Sequence, residues 1–374
     1  MNLYIHVPFC AQRCAYCDFY TQTNLGLRVR YLEALHNELR ERASELPQGS
    51  SLTNIYFGGG TPSLLSIEEL GGICSVIEQY YAIDAVAEIT LEANPDDITA
   101  DYAEGLRALP INRVSMGVQS FQEDDLIFLN RRHNREQVYQ AVERLRAVGI
   151  DNISLDLIYG LPRQTVATWQ DNLERIIALN VPHISAYHLI YEEGTPLTRL
   201  RDLGRVEELS EELSLQFFEM LIDNLKSAGY EHYEISNFAK PNKYARLNTG
   251  YWQGVHYIGA GPAAHSYDGV SRSYNVASIR QYIEGWEQGK RIYERECLTE
   301  VEKRHEYIMT RLRTQWGFNL DDYAELFGTS ARERLVALSE PFIRRGQLCL
   351  DAHTLKLSPQ GVFTSDGIIA ELFD

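Results

Sequence analysis

Cysteine, positive charge and long apolar runs are all scarce in this chain, and each shortage excludes something. Six cysteines in 374 residues are too few for the disulfide-stapled scaffold of a small secreted protein. No apolar run approaches the ~18 residues of a membrane span. Strand-like sequence begins at Leu3, so a signal peptide is not expected. Only 35 Lys+Arg stand against 52 Asp+Glu, a formal net charge of -17. Such a field repels polyanions, and phosphate contacts need clustered cations, so general nucleic-acid binding is not expected. Arg131-Arg132 could belong to a local basic patch. Repeats and low-complexity segments are also missing. What remains is an ordinary soluble composition, 44% hydrophobic and 23% charged, long enough for one large domain and a smaller one. A cytoplasmic home is expected.

Half of the cysteines fall within eight residues: Cys10, Cys14 and Cys17, spaced C-x3-C-x2-C in YIHVPFCAQRCAYCDF. A zinc site ordinarily needs C-x2-C pairs with a second pair far downstream. Cys74, Cys297 and Cys349 are scattered singly and read as packing residues. Three thiolates also fall one short of the four that normally hold a [4Fe–4S] cluster. A cluster held here therefore leaves one iron open to a small molecule, as catalytic metal sites do. Such chemistry suits a reducing compartment.

Six β-rich runs punctuate the first half: Leu3–Val7, Thr53–Phe57, Ala87–Glu92, Arg113–Val118, Asn152–Ile158 and His183–Ile190. Helical stripes lie between them, marked by Leu32, Leu35, Leu39 and Leu46, by Val138, Val142, Leu145 and Val148, and by Trp169, Leu173, Ile176 and Ile177. Alternating strand and helix predicts an α/β protein with a parallel sheet, either doubly wound or an incomplete barrel. A further stripe at Leu213, Phe217, Leu221 and Leu225 precedes a less regular stretch from Tyr230 to about Tyr293, rich in Gly, Tyr and Asn. Beyond Cys297 the spacing predicts helices through Val301, Ile308 and Leu312 and through Leu335, Leu338 and Phe342. A hairpin of Leu348–Leu350 and Thr354–Leu357 follows.

Polar and glycine-rich motifs sit at the ends of the runs. Tyr56-Phe57-Gly58-Gly59-Gly60-Thr61-Pro62 closes the second, where glycines allow a ligand to approach the backbone. Leu91-Glu92-Ala93-Asn94-Pro95 and Met116-Gly117-Val118-Gln119-Ser120 close the third and fourth, and Leu129-Asn130-Arg131-Arg132-His133 follows. Asp156 is a lone acid in Ser154-Leu155-Asp156-Leu157-Ile158, a setting in which acids are either well paired or functional. With the cysteine triplet, this ordered set resembles the radical S-adenosylmethionine (SAM) superfamily. The resemblance runs nearly the whole length and narrows to the coproporphyrinogen III dehydrogenase-like group. It implies an open partial (β/α)6 TIM-like barrel over residues 1–295, with a smaller helix-rich, winged-helix-like domain over 296–374. It implies that Cys10, Cys14 and Cys17 hold the cluster and that SAM completes it. SAM contacts carry over to Tyr4, Tyr16, Gly59, Gly60, Thr61, Glu92, Gln119, Arg131 and Asp156, and less directly to His265 in Gly261-Pro262-Ala263-Ala264-His265-Ser266. Arg131 would hold the SAM carboxylate, and Glu92 its ammonium or ribose. Catalytic residues stay unassigned.

Two departures separate the chain from the dehydrogenase. That enzyme has another cysteine where this chain has Phe19, and it carries an extension ahead of the first strand. Both departures match the heme-chaperone branch of the group. A SAM- and [4Fe–4S]-binding protein that binds heme and transfers it to acceptor proteins is thus expected. Its partners would be heme, heme-accepting proteins and an electron donor, with room for peripheral membrane contact. The alternatives are radical oxidative decarboxylation of coproporphyrinogen III propionates, or another tetrapyrrole-directed SAM reaction. The branch commonly carries an H-N-x-x-Y-W motif associated with heme. Here the motif reads Leu247-Asn248-Thr249-Gly250-Tyr251-Trp252, and leucine cannot ligate iron. His256 or His265 could supply an axial ligand instead.

Overall fold

A period-two alternation sorts the first six strands into an apolar outer face and a polar inner one. The computed structural model describes residues 1–373. The strands are β1 (Asn2–Val7), β2 (Leu52–Gly59), β3 (Ile83–Ala93), β4 (Arg113–Gln119), β5 (Ile153–Tyr159) and β6 (His183–His188). They pair in chain order, all parallel. Leu3, Ile5, Ile55, Phe57, Ile89, Leu91, Val114, Met116, Leu155 and Ile184 join one buried core. The intervening positions carry Asn2, Tyr4, His6, Asn54, Tyr56, Glu88, Glu92, Ser115, Ser154, Asp156, His183 and Ser185. These bond among themselves: Asn54 Nδ2 donates to Asn2 Oδ1 at 2.7 Å, Tyr56 OH to Glu92 Oε1 at 2.8 Å, and Ser154 Oγ meets His183 Nδ1 at 2.6 Å. The interior of the arc is therefore a polar column inside an apolar jacket.

The jacket is made by the crossover helices: α1 (Arg28–Arg42), α2 (Ile67–Tyr80), α3 (Ala100–Leu106), α4 (Glu123–Phe128), α5 (Arg135–Ala147) and α6 (Val166–Ala178). Reciprocal capping boxes start three of them, with Ser66 and Glu69 at α2, Asn134 and Gln137 at α5, and Thr165 and Thr168 at α6. The expected stripes fall on these helices, except that Leu46 lies beyond α1 and Val148 caps α5. The sixth run ends earlier than expected, at His188, although Leu189 N still donates to Tyr159 O at 2.8 Å.

The sheet is larger than the six strands expected. After α7 (Pro196–Asp202) and α8 (Glu211–Ser227), β7 (Glu231–Glu234) and β8 (Asn237–Ala239) extend it past β6. On the other flank, after α9 (Arg246–Trp252), come β9 (Tyr257–Ala260), β10 (His265–Tyr267) and β11 (Ser271–Asn275). α10 (Ile279–Glu287) and β12 (Tyr293–Cys297) complete that flank. The order of the twelve strands is β12-β11-β10-β9-β1-β2-β3-β4-β5-β6-β8-β7. Among the described residues no pairing joins β7 to β12, so the barrel stays open. The stretch that looked irregular thus supplies both flanks. Its strands are mostly three to five residues long, too short for alternation to show.

The C-terminal part has a core of its own, including Ile308, Leu312, Phe318, Leu335, Leu348 and Leu355. It runs α11 (Glu300–Leu312), β13 (Phe318–Asn319), α12 (Leu320–Phe327), α13 (Thr329–Arg344), β14 (Leu348–Asp351), β15 (Thr354–Leu357) and α14 (Ser365–Glu371). The expected hairpin gains a third strand, in the order β13-β15-β14, and the element order is winged-helix-like. The boundary expected between Arg295 and Glu296 falls inside β12, because these residues pair with Ser273 and Arg272 of β11.

Candidate cofactor site at the barrel mouth

The cysteine loop leaves β1 and is closed at its base, where Cys10 N donates to Gln22 O at 3.0 Å and Gln22 N to Pro8 O at 2.8 Å. Its far side is latched to two other loops. Ala15 N donates to Leu129 O at 3.1 Å and Leu197 N to Ala15 O at 2.9 Å. Asn130 Nδ2 donates to Arg13 O at 2.8 Å. Beneath it, Tyr16 packs on a small buried cluster of Leu129, Ile158, Leu161, Leu189 and Leu197. Backbone bonds and apolar contact together hold a segment that has no secondary structure of its own.

Cys10, Cys14 and Cys17 are all free thiols and all border one cavity of about 440 Å³ at the C-terminal end of the strands. Thr61 Oγ1 donates to Cys10 Sγ at 3.6 Å and Arg131 Nη1 to Cys14 Sγ at 3.4 Å. Burial raises the pKa of Cys10 and pushes Cys17 up to about 11. Such thiols ionise when a metal takes the place of the proton. Among the described residues no three His, Cys, Asp or Glu side chains converge as a single-ion site. The three sulfurs instead flank a space, with a guanidinium at hand to offset thiolate charge, and this donor set fits a cluster.

The glycine turn forms the next wall. Gly59 has φ +108, and a Cβ there would lie 2.6 Å from the His6 ring; at Gly60 it would lie 2.6 Å from Phe9 O. His6 is itself clamped. Its Nε2 donates to Tyr20 O at 2.9 Å and its Nδ1 accepts from Tyr4 OH at 3.2 Å. Burial lowers its pKa and keeps the ring neutral. Gly59 N donates to Glu92 Oε2 at 3.1 Å, tying the turn to β3.

Two carboxyls face the same space. Burial, opposed by the Tyr56 hydroxyl and with the charge of Asp156 adding to it, raises Glu92 to about 7. Burial likewise raises Asp156 to about 6, moderated by hydrogen bonds from Ser185 and Ser115 and by Arg113. Gln119 ends β4 at φ +68, where the register with β5 shifts. Arg131 Nη2 donates to Asn94 Oδ1 at 2.6 Å and also to Gly117 O, while its buried Nε has no partner. Arg132 is committed to Asp96 at 3.2 Å and Asp97 at 2.7 Å, so the arginine pair forms a loop anchor rather than a basic patch.

Eleven of the residues singled out from sequence thus border one cavity: the three cysteines, Tyr16, Gly59, Gly60, Thr61, Glu92, Gln119, Arg131 and Asp156. Tyr4 and His265 do not. Tyr4 lies below the turn, its ring 6.1 Å from that of Tyr56 and its hydroxyl 3.2 Å from His6 Nδ1. His265 is exposed on β10 and stacks on Tyr274 at 5.4 Å. Ser115, Asn94 and Tyr187 also line the cavity, and sequence reasoning passed over them. Ser115 and Tyr187 sit at inner-face positions of their strands, a signal available from alternation alone.

An open parallel strand-and-helix arc with three cysteines and a glycine turn at its mouth defines the class as radical SAM. Residues 4–176 match the family model for the radical SAM superfamily, and residues 298–364 match that for the HemN C-terminal domain. Heme chaperone HemW of Lactococcus lactis subsp. lactis is 34% identical over 330 residues, covering 88% of this chain and 86% of that protein. HemW of Bacillus subtilis is 33% identical over 96% of both chains, and that of Escherichia coli is 34% identical over 84% of this chain and 82% of its own. The chain belongs to the HemW family. The solved structure of HemN, the coproporphyrinogen III oxidase of E. coli, matches with a TM-score of 0.86 at 24% identity, over 100% of this chain and 89% of that one. That likeness concerns the fold alone.

Proposed function

We propose that this protein is a cytoplasmic heme chaperone that binds heme and passes it to acceptor proteins, with a [4Fe–4S] cluster and SAM at the barrel mouth. Family membership across most of the chain, with whole-length similarity to proteins named as heme chaperones, carries this reading. Phe19, 62% exposed at the rim of the cavity, supports it by offering no sulfur where the dehydrogenase has a further cysteine.

Cys10, Cys14 and Cys17 would hold the cluster, which supplies an open iron and an electron when bound. Arg131, positioned by Asn94 and Gly117, would take the SAM carboxylate. Glu92 and Asp156 would face its cationic groups and hydroxyls, and the Gly59–Thr61 turn would line the amino-acid moiety. Tyr16 and its apolar cluster keep water from one side of the loop. His6 holds the glycine turn, and Tyr4 holds His6. Reduction of the cluster would draw on an external electron donor as a partner.

Anaerobically reconstituted protein should bind heme stoichiometrically and release it to an apo-acceptor, while coproporphyrinogen III remains unconsumed in the presence of SAM and reductant. Formation of protoporphyrinogen, or loss of heme with SAM, would overturn this reading in favour of an enzyme.

A further inference from the structure

Arg113 opens β4 on its inner face, beside Thr90 of β3 and one inner position before Ser115. It is 2% exposed. Its Nε is buried without a hydrogen-bond partner, and among the described residues no carboxylate forms an ion pair with it. A guanidinium taken out of water without a counter-charge is costly. In a chain of net charge -17 carboxylates abound, so the missing partner singles this residue out.

The groups around it show where its charge acts. Glu88, on the same face of β3, is committed elsewhere: its Oε1 accepts from Arg246 N at 3.0 Å and its Oε2 from Asn152 Nδ2 at 3.4 Å. His183 of β6 is locked between Ser154 Oγ at 2.6 Å and Tyr233 OH at 2.8 Å. Burial and the Arg113 charge lower its pKa and keep it neutral. Towards the mouth stand Tyr56 of β2, Glu92 of β3 and Asp156 of β5. Burial raises all three, and the Arg113 charge pulls each of them back down. Glu92 also faces Tyr4 of β1 and Tyr251 of α9, and Asp156 faces Arg131 and Tyr187 of β6. Arg131 borders the cavity, whereas Arg113 lies behind its wall and lines no part of it.

Two buried carboxyls facing one space resist ionising together. A site for a cationic ligand needs both of them ionised, and a fixed cation behind the wall favours that without taking the ligand's place. We propose that Arg113 is a positioning residue of the SAM site, a buried cation that keeps Glu92 and Asp156 ionised together for the ligand's cationic groups and hydroxyls. The inference rests on the reading of the mouth as the SAM site and adds the residue that sets its charge.

The test compares the full wild-type chain with Arg113→Met, which removes the charge at similar length, and Arg113→Lys, which keeps it. In the apoprotein, infrared titration of the protonated-carboxyl stretch reads both acids without any ligand, with Glu92→Gln and Asp156→Asn assigning the bands. Arg113→Met should move both transitions upward by about one pH unit, and lysine should leave them near wild type. Calorimetric SAM affinity of the reconstituted protein should fall about tenfold at pH 7 in Arg113→Met and recover by pH 9. A merely structural role would lower affinity by the same factor at every pH. Arg113→Gln gives the same comparison should the methionine variant not fold. Infrared transitions that stay in place without the charge would overturn the inference whether or not SAM binds. Transitions that move in a protein whose wild type binds no SAM would instead sink the reading of the mouth, and the positioning role with it.

Discussion

Glu92 and Asp156 show how a few ångströms of burial turn ordinary carboxyls into groups that titrate near neutrality. Their folded pKa values, about 7 and about 6, lie above those of an unfolded chain. The folded apoprotein therefore holds protons that the unfolded chain has released. The stability tied to these groups is complete below the unfolded pKa and is lost as pH rises through 6 to 7. Three expected outcomes belong to this scale. Glu92→Gln should stabilise the apoprotein at pH 8 by roughly 1 kcal/mol or more, read from denaturant midpoints, and should show no such gain at pH 4. The same variant should bind SAM at least tenfold more weakly. Wild-type SAM affinity should rise between pH 5.5 and 7.5, because the ligand's positive groups favour the ionised carboxylates; flat calorimetric affinities over that range would contradict the assignment. Of these residues, Glu92 was legible from its strand-end position. His6 was not, because its role depends on a contact with a turn more than fifty positions away in sequence.

At the level of elements, the cysteine loop is held by its neighbours more than by itself. Leu129 and Leu197, both fully buried, belong to the apolar cluster under Tyr16 and also supply backbone partners to Ala15. Leu129→Ala should cost about 2–5 kcal/mol, and cluster lifetime on exposure to air should shorten with it. Gly59→Ala should be worse for function than for folding. It forces φ +108 on an L-residue and drives a methyl into His6, a strain of order 1–3 kcal/mol, and SAM binding should be lost while the helical circular dichroism persists. The six parallel strands were readable because apolar and polar residues alternate along them. The flanks from Glu231 to Cys297 were not, since three- to five-residue strands give too few repeats. Their pairing is set instead by hairpins and by tertiary contacts such as Glu38, which accepts from Tyr282, Asn275 and Gly261.

For the whole molecule, charge and openness decide what can approach. A net charge of -17 discourages nucleic acid, and among the described residues β7 and β12 stay unpaired at the two edges of the sheet, while the polar column between them is largely buried. The C-terminal part, visible in sequence as a change of pattern near Cys297, closes against the flank at α9 and α11 and so creates a second cavity. Everything proposed for the mouth depends on three sulfurs leaving an iron for SAM to occupy. The direct measurement is the EPR spectrum of the reduced, anaerobically reconstituted protein with and without SAM. A [4Fe–4S] signal that shifts on SAM addition, and that is lost or altered when any of Cys10, Cys14 and Cys17 is replaced by Ala, is the expected result. A signal indifferent to SAM, or protein that takes up zinc alone, would contradict the account.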